Sequence, residues 1–157
     1  MIREGPIEDV IIRKLPRHTD ERGWLIELYR DDEINPRYRP QMAYVSETLP
    51  GVVRGPHEHR EQADCFVFVG PGDFRVYMWD ARTDSPTAGN RQVVVAGESN
   101  PLLVIIPPGV VHAYRNIGER PAWVFNCPNR LYAGPGRRDQ VDEIRHEDRP
   151  NSPFVID

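Results

Sequence analysis

Pro107-Pro108-Gly109-Val110-Val111-His112-Ala113-Tyr114-Arg115-Asn116 is the stretch from which the fold can be read. Two prolines and a glycine enforce a turn, because proline fixes φ and glycine accepts conformations other residues avoid. The residues that follow predict a strand over Val111–Tyr114, so His112 is carried on a strand that leaves a rigid turn. Upstream lies Arg54-Gly55-Pro56-His57-Glu58-His59-Arg60-Glu61-Gln62-Ala63-Asp64. Residues i and i+2 of an extended segment project to one face. His57 and His59 are therefore expected to point into one cavity, with Asp64 opening the next strand.

Outward from these stretches, short β-type runs recur between turns. They are Val10–Leu15, Trp24–Tyr29, Met42–Ser46, Cys65–Val69, Phe74–Trp79, Gln92–Val95, Leu102–Ile106 and Ala122–Asn126. Turn signals stand at Gly70-Pro71-Gly72, Asp84-Ser85-Pro86-Thr87 and Gly134-Pro135-Gly136. Cys65–Val69 is apolar throughout, as a strand covered on both faces would be. Phe74–Trp79 alternates imperfectly. The 12 glycines and 16 prolines in 157 residues leave no room for long helices. The pattern predicts one all-β domain, a sandwich or barrel. The segment Arg137–Asp157 reads as a polar tail, in which Asp142–Glu147 forms either a helical turn or an edge strand. His18 and His146 read as surface residues.

Charge and composition narrow the function. A net charge of −4 argues against general nucleic-acid binding. No apolar run approaches the length needed to cross a bilayer. The N-terminus has no apolar signal core, and two isolated cysteines, Cys65 and Cys127, fit reduced thiols, so a cytoplasmic location is expected. Lys14 is the single lysine among 20 basic residues.

The two histidine segments resemble the paired motifs of the cupin superfamily. Pro107, Gly109, His112 and Asn116 match every fixed position of the second motif; His57, His59 and Gly70 match the first, with Asp64 at its glutamate position. Within the cupins, four ordered segments resemble the dTDP-4-dehydrorhamnose 3,5-epimerase family. They are Asp20-Glu21-Arg22-Gly23-Trp24 with Glu27, Gly51–His57, Asp80–Gly89 and Ile106–Tyr114. The resemblance implies a cupin double-stranded β-helix, or jelly-roll barrel, with a core over about 24–132 and a tail over about 137–157. It implies a homodimer without cofactor that acts on a nucleotide-linked 4-keto-deoxysugar. It makes His57 the base, assisted by His59, and places Arg22, Glu27, Gln41, Arg54, Gln62 and His112 among the substrate-binding residues.

The sequence departs from the family at three points. The lysine that would stabilise an enolate is replaced by Asp64, an anion expected to repel it. The position of the tyrosine acid falls on Phe125, which has no proton to give, with Tyr132 the nearest substitute. The tail that would orient the base is short, leaving Glu143, Glu147 and Asp157 as candidates. Two other readings stand beside the epimerase. One is a metal-dependent cupin in which His57, His59, Asp64 and His112 hold a divalent transition metal. The other is a non-catalytic sugar-binding cupin.

Overall fold

Cys65-Phe66-Val67-Phe68 is apolar on both faces because it sits in the middle of a sheet with a core on each side. The computed structural model describes residues 2–157. Its strands are β1 (Arg3–Glu4), β2 (Ile11–Lys14), β3 (His18–Asp20), β4 (Gly23–Leu25), β5 (Tyr44–Thr48), β6 (Val53–Glu58) and β7 (Asp64–Phe68). Then follow β8 (Asp73–Asp80), β9 (Asn90–Gly97), β10 (Leu102–Ile106), β11 (Val110–Asn116), β12 (Ala122–Asn126) and β13 (Ile144–Arg145). One sheet has the order β1-β9-β8-β11-β6-β13 and the other β2-β10-β7-β12-β5. The only helical elements among the described residues are the short 3-10 turns Pro36–Tyr38 and Pro135–Arg137, and no helix is long and apolar enough to cross a membrane.

The sheets enclose a core built from alternate residues of each strand. Phe66 and Phe68 of β7, Phe74, Val76 and Met78 of β8, Val104 and Ile106 of β10, Tyr114 of β11 and Val124 of β12 all belong to it. On the outer face of β7, Cys65 packs with Ile34, Tyr38, Leu103 and Ile105. The irregular alternation of Phe74–Trp79 has a similar cause. Met78 faces the inner core, whereas Tyr77 and Trp79 face outward and are buried beneath Phe154 and Ile156 of the C-terminal segment. The supposed polar tail is thus a strap: β13 pairs with β6, and Tyr77 Oη donates to the Asp157 carbonyl at 2.6 Å. This is the all-β jelly roll the sequence led us to expect.

Two local readings change and one open alternative is resolved. The run Trp24–Tyr29 forms a strand only over Gly23–Leu25, paired with β3 in a hairpin outside both sheets. The edge strand of the Asp142–Glu147 alternatives is realised as β13. His146 is buried, not a surface residue, with Nε2 2.9 Å from Glu58 Oε1 and its ring edge-on to Phe154. The Asp80–Gly89 segment is a loop staple: Asp80 accepts hydrogen bonds from Arg82, Ser85 and Thr87 at 2.6–3.0 Å.

Candidate active site

Strand pairing brings the two histidine segments together. β6 and β11 are antiparallel neighbours with His57 opposite His112, and β10 places Ile106 opposite Asp64. The Gly109 N–H donates to the His59 carbonyl at 2.9 Å, so the proline turn of one segment clamps the loop of the other. Gly55 permits the close approach of β6 to β11. Its φ is +92°, and a Cβ there would lie 2.6 Å from the His112 carbonyl oxygen.

The expected convergence of His57 and His59 is present. The His57 ring lies 4.6 Å from that of His112 and 5.8 Å from that of His59. One donor atom from each of His57, His59, Asp64 and His112 lies within 4.8 Å of the others. Asp64 is the hub. Its Oδ1 accepts from Asn126 Nδ2 and Gln62 Nε2, both at 2.9 Å. Its Oδ2 lies 3.0 Å from His59 Nε2 and 3.1 Å from His112 Nε2, the latter out of line for a hydrogen bond. The other nitrogens of these two rings point at backbone carbonyls. His59 Nδ1 meets the Asp142 carbonyl and His112 Nδ1 meets that of Val110.

These contacts set the charges. Burial alone would raise Asp64, but the His112 and His59 contacts outweigh it and hold the carboxylate well below its ordinary range. Burial would lower His59, yet the hydrogen bond to Asp64 and its charge raise it to about 9. His57 has no such partner; burial and the neighbouring His112 lower it to about 3. The site therefore holds a neutral His57 beside a charged His59–Asp64 pair.

The cluster lies at the floor of a cavity of about 1180 Å³. Of the sequence candidates, His57, His59, Gln41, Arg54, Gln62 and Tyr132 line it. Arg54 is anchored by Nε to Thr48 Oγ1 at 2.9 Å and by Nη2 to the Glu47 carbonyl at 2.6 Å, and its Nη1 has no hydrogen-bond partner among the described residues. His112 is not a lining residue. It is 2% exposed and sits behind His57, because β11 turns that side chain inward against Phe66. Arg22 and Glu27 are elsewhere. Arg22 is exposed in the β3–β4 turn, paired with Asp20, and Glu27 lines a smaller groove.

The position that faces the site on β12 is Asn126, not Phe125. Val124 and Asn126 are buried on the inner face, and Phe125 alternates to the other. Sequence reasoning also missed Asp142, whose carboxylate accepts the backbone N–H groups of Arg60, Glu61 and Gln62 at 2.8–2.9 Å. None of the three tail candidates bonds a histidine of the cluster: Glu143 pairs with Arg145, Asp157 with Arg91, and Glu147 lines the cavity.

Known proteins are similar to this chain in sequence and fold. The family profile for dTDP-4-dehydrorhamnose 3,5-epimerase matches residues 4–148. The chain belongs to this epimerase family. It is 39% identical over 139 residues to the spore coat polysaccharide biosynthesis protein SpsL of Bacillus subtilis, covering 88% of each chain. It is 41% identical over 127 residues to the probable low-salt glycan biosynthesis epimerase Agl13 of Haloferax volcanii, covering 80% of this chain and 81% of that one. Among solved structures, a dTDP sugar isomerase from Desulfovibrio desulfuricans superposes with a TM-score of 0.80 at 30% identity, covering 95% of this chain and 91% of that one. Membership of the epimerase family confirms the fold expected from the two histidine segments.

Proposed function

We propose that this protein is an epimerase acting on a nucleotide-linked 4-keto-deoxysugar, with His57 as the base that removes a proton from a carbon beside the ketone. The observation that carries the reading is His57 on the floor of a large cavity, its ring 5.8 Å from a His59 that is hydrogen-bonded to the buried Asp64. A ketone acidifies the adjacent C–H, and the neutral imidazole has the lone pair to accept that proton. As the proton leaves, negative charge gathers on the ketone oxygen. The His59 imidazolium, kept protonated by Asp64, supplies the positive field a lysine would otherwise provide. Asp64 itself has its acceptor sites occupied, so it does not confront the enolate as a bare anion. Arg54 is placed for a phosphate oxygen, and Gln41, Gln62 and Tyr132 for polar groups of the substrate. The chemistry requires no cofactor.

The test is solvent deuterium exchange into a dTDP-4-keto-6-deoxyhexose. Wild-type protein should incorporate deuterium at C3 or C5, and His57→Ala should lose that incorporation. Binding of the sugar nucleotide with no exchange at all would favour a non-catalytic binding module instead. We also propose a homodimer. The β3–β4 hairpin exposes Trp24 and Leu25 and carries Arg22 away from its own cavity. Light scattering that returned a monomer would remove this proposal.

One observation favours a second reading. His59 and His112 both direct Nδ1 to carbonyls, which fixes a proton there and turns Nε2 toward the same Asp64 oxygen. A divalent transition metal held by His57, His59, Asp64 and His112 would satisfy both nitrogens, and is the alternative to a proton on His59. Metal analysis of purified protein separates them. Less than about a tenth of an equivalent, with no gain on reconstitution, eliminates the metal.

A further inference from the structure

Epimerisation requires a second proton, delivered to the carbon from the face opposite the base. Three tyrosines border the cavity. Tyr114 is 4% exposed and packed edge-on against Phe66, Phe68 and Phe74, in the core. Tyr132 is 58% exposed at the rim, tied by its backbone N–H to Met42 Sδ. Tyr44 is different. It lies on β5 directly opposite Asn126 of β12, and its Oη is 3.0 Å from Asn126 Nδ2.

The direction of that hydrogen bond is fixed by its neighbours. Asn126 Oδ1 accepts from the Cys65 backbone N–H at 3.1 Å, so Nδ2 is the end that faces the site. One amide hydrogen goes to Asp64 Oδ1 at 2.9 Å, and the carboxylate can only accept. The other goes to Tyr44 Oη, which is therefore an acceptor in this contact. Its own O–H has no acceptor among the described residues and is free for a ligand. Tyr44 is 44% exposed as a residue, but desolvation of its phenol raises it to about 12, so it keeps its proton at neutral pH.

We propose that Tyr44 is the proton donor of the reaction, the acid that completes inversion after His57 has acted. This rests on the epimerase reading and assigns the group that reading lacks. His57 takes the proton as the C–H bond breaks, and the electron pair moves to the enolate. The Tyr44 O–H bond then breaks, its proton goes to the carbon from the other face, and the ketone re-forms. The phenolate left behind is met by the Asn126 amide hydrogen. Exchange with cavity water returns a proton to Tyr44 and removes one from His57, which closes the balance.

The experiment follows deuterium incorporation and the ratio of epimers separately, in D₂O, with dTDP-4-keto-6-deoxyhexose as the probe. Tyr44→Phe should keep exchange, because His57 can return a solvent deuteron to the face it came from. Inversion should fall by about a hundredfold or more. Binding of dTDP by calorimetry, and the melting temperature, check that the variant is folded. Replacing Tyr44 by 3,5-difluorotyrosine should move the alkaline limb of the inversion rate to lower pH, which a packing role would not do. Wild-type inversion by Tyr44→Phe would overturn the proposal, as would loss of inversion in Tyr132→Phe but not in Tyr44→Phe. An equal loss of exchange and inversion in Tyr44→Phe would also overturn it, assigning Tyr44 to substrate placement. Wild-type protein that neither exchanges nor inverts would overturn the epimerase reading, and this proposal with it.

Discussion

Asp64 shows how a single residue changes meaning between sequence and structure. As a letter in place of a lysine it reads as a charge of the wrong sign. In the fold it is buried and receives hydrogen bonds from Gln62, Asn126 and His59, so its charge appears in the cavity as a protonated His59. Asp64→Asn should therefore return the His59 value from about 9 toward the ordinary 6.5, readable by NMR titration of the ring protons. Turnover should fall by about a hundredfold, the usual scale for losing one electrostatic stabiliser. His57 moves the other way. Its depressed value of about 3 means that protonation removes the base only in strong acid, so the rate should show no acid limb near 6.5. Residue-level reading succeeded where period-2 geometry applied, placing His57 and His59 together. On β12 the same geometry turns Phe125 away from the site and Asn126 toward it. Residue-level reading failed at His146 because the partners that bury it, Glu58 and Phe154, lie far from it in the chain or on a segment read as solvent-exposed.

At the scale of elements, Leu102–Ile106 and Ala122–Asn126 were legible to the residue because β-branched and aromatic side chains are bounded there by clear turn signals. β6 was not among the strands read from sequence. Gly55 and Pro56 interrupt the apolar run by which the other strands were read, and the close approach to β11 accounts for a strand that contains both. The C-terminal segment was the largest misreading. Its polar letters conceal an element that caps the outer sheet face and organises the loop after β6. Asp142 does this with both of its oxygen sets, the carboxylate on three backbone N–H groups and the carbonyl on His59. Asp142→Ala should cost about 1–3 kcal/mol in stability, seen as a lower melting temperature. It should lower kcat and raise KM together, since the loop it holds carries both His59 and the cavity-lining Gln62.

At the scale of the whole molecule, strands are fastened to loops by buried carboxylates that are hydrogen-bonded rather than exposed. Asp64 fastens β7 to the histidine loop and to β12; Asp80 fastens the end of β8 to the loop that leads to β9. Asp80 is 3% exposed, and although burial alone would raise it, Arg82, Ser85 and Thr87 bring it down to about 2 from 3.8. A folded-state value below the unfolded one means that the native state binds the proton less readily. The stabilisation is complete above the unfolded value and is lost as pH falls through about 3.8 toward about 2. A shift of that size corresponds to about 2 kcal/mol. Denaturant titrations at pH 7 and near pH 2 should show wild-type stability falling on acidification. In Asp80→Asn the pH 7 value should already be lowered and the fall between the two conditions reduced by about 2 kcal/mol. An unchanged fall would mean that the Asp80 loop contributes nothing to the acid sensitivity of the barrel.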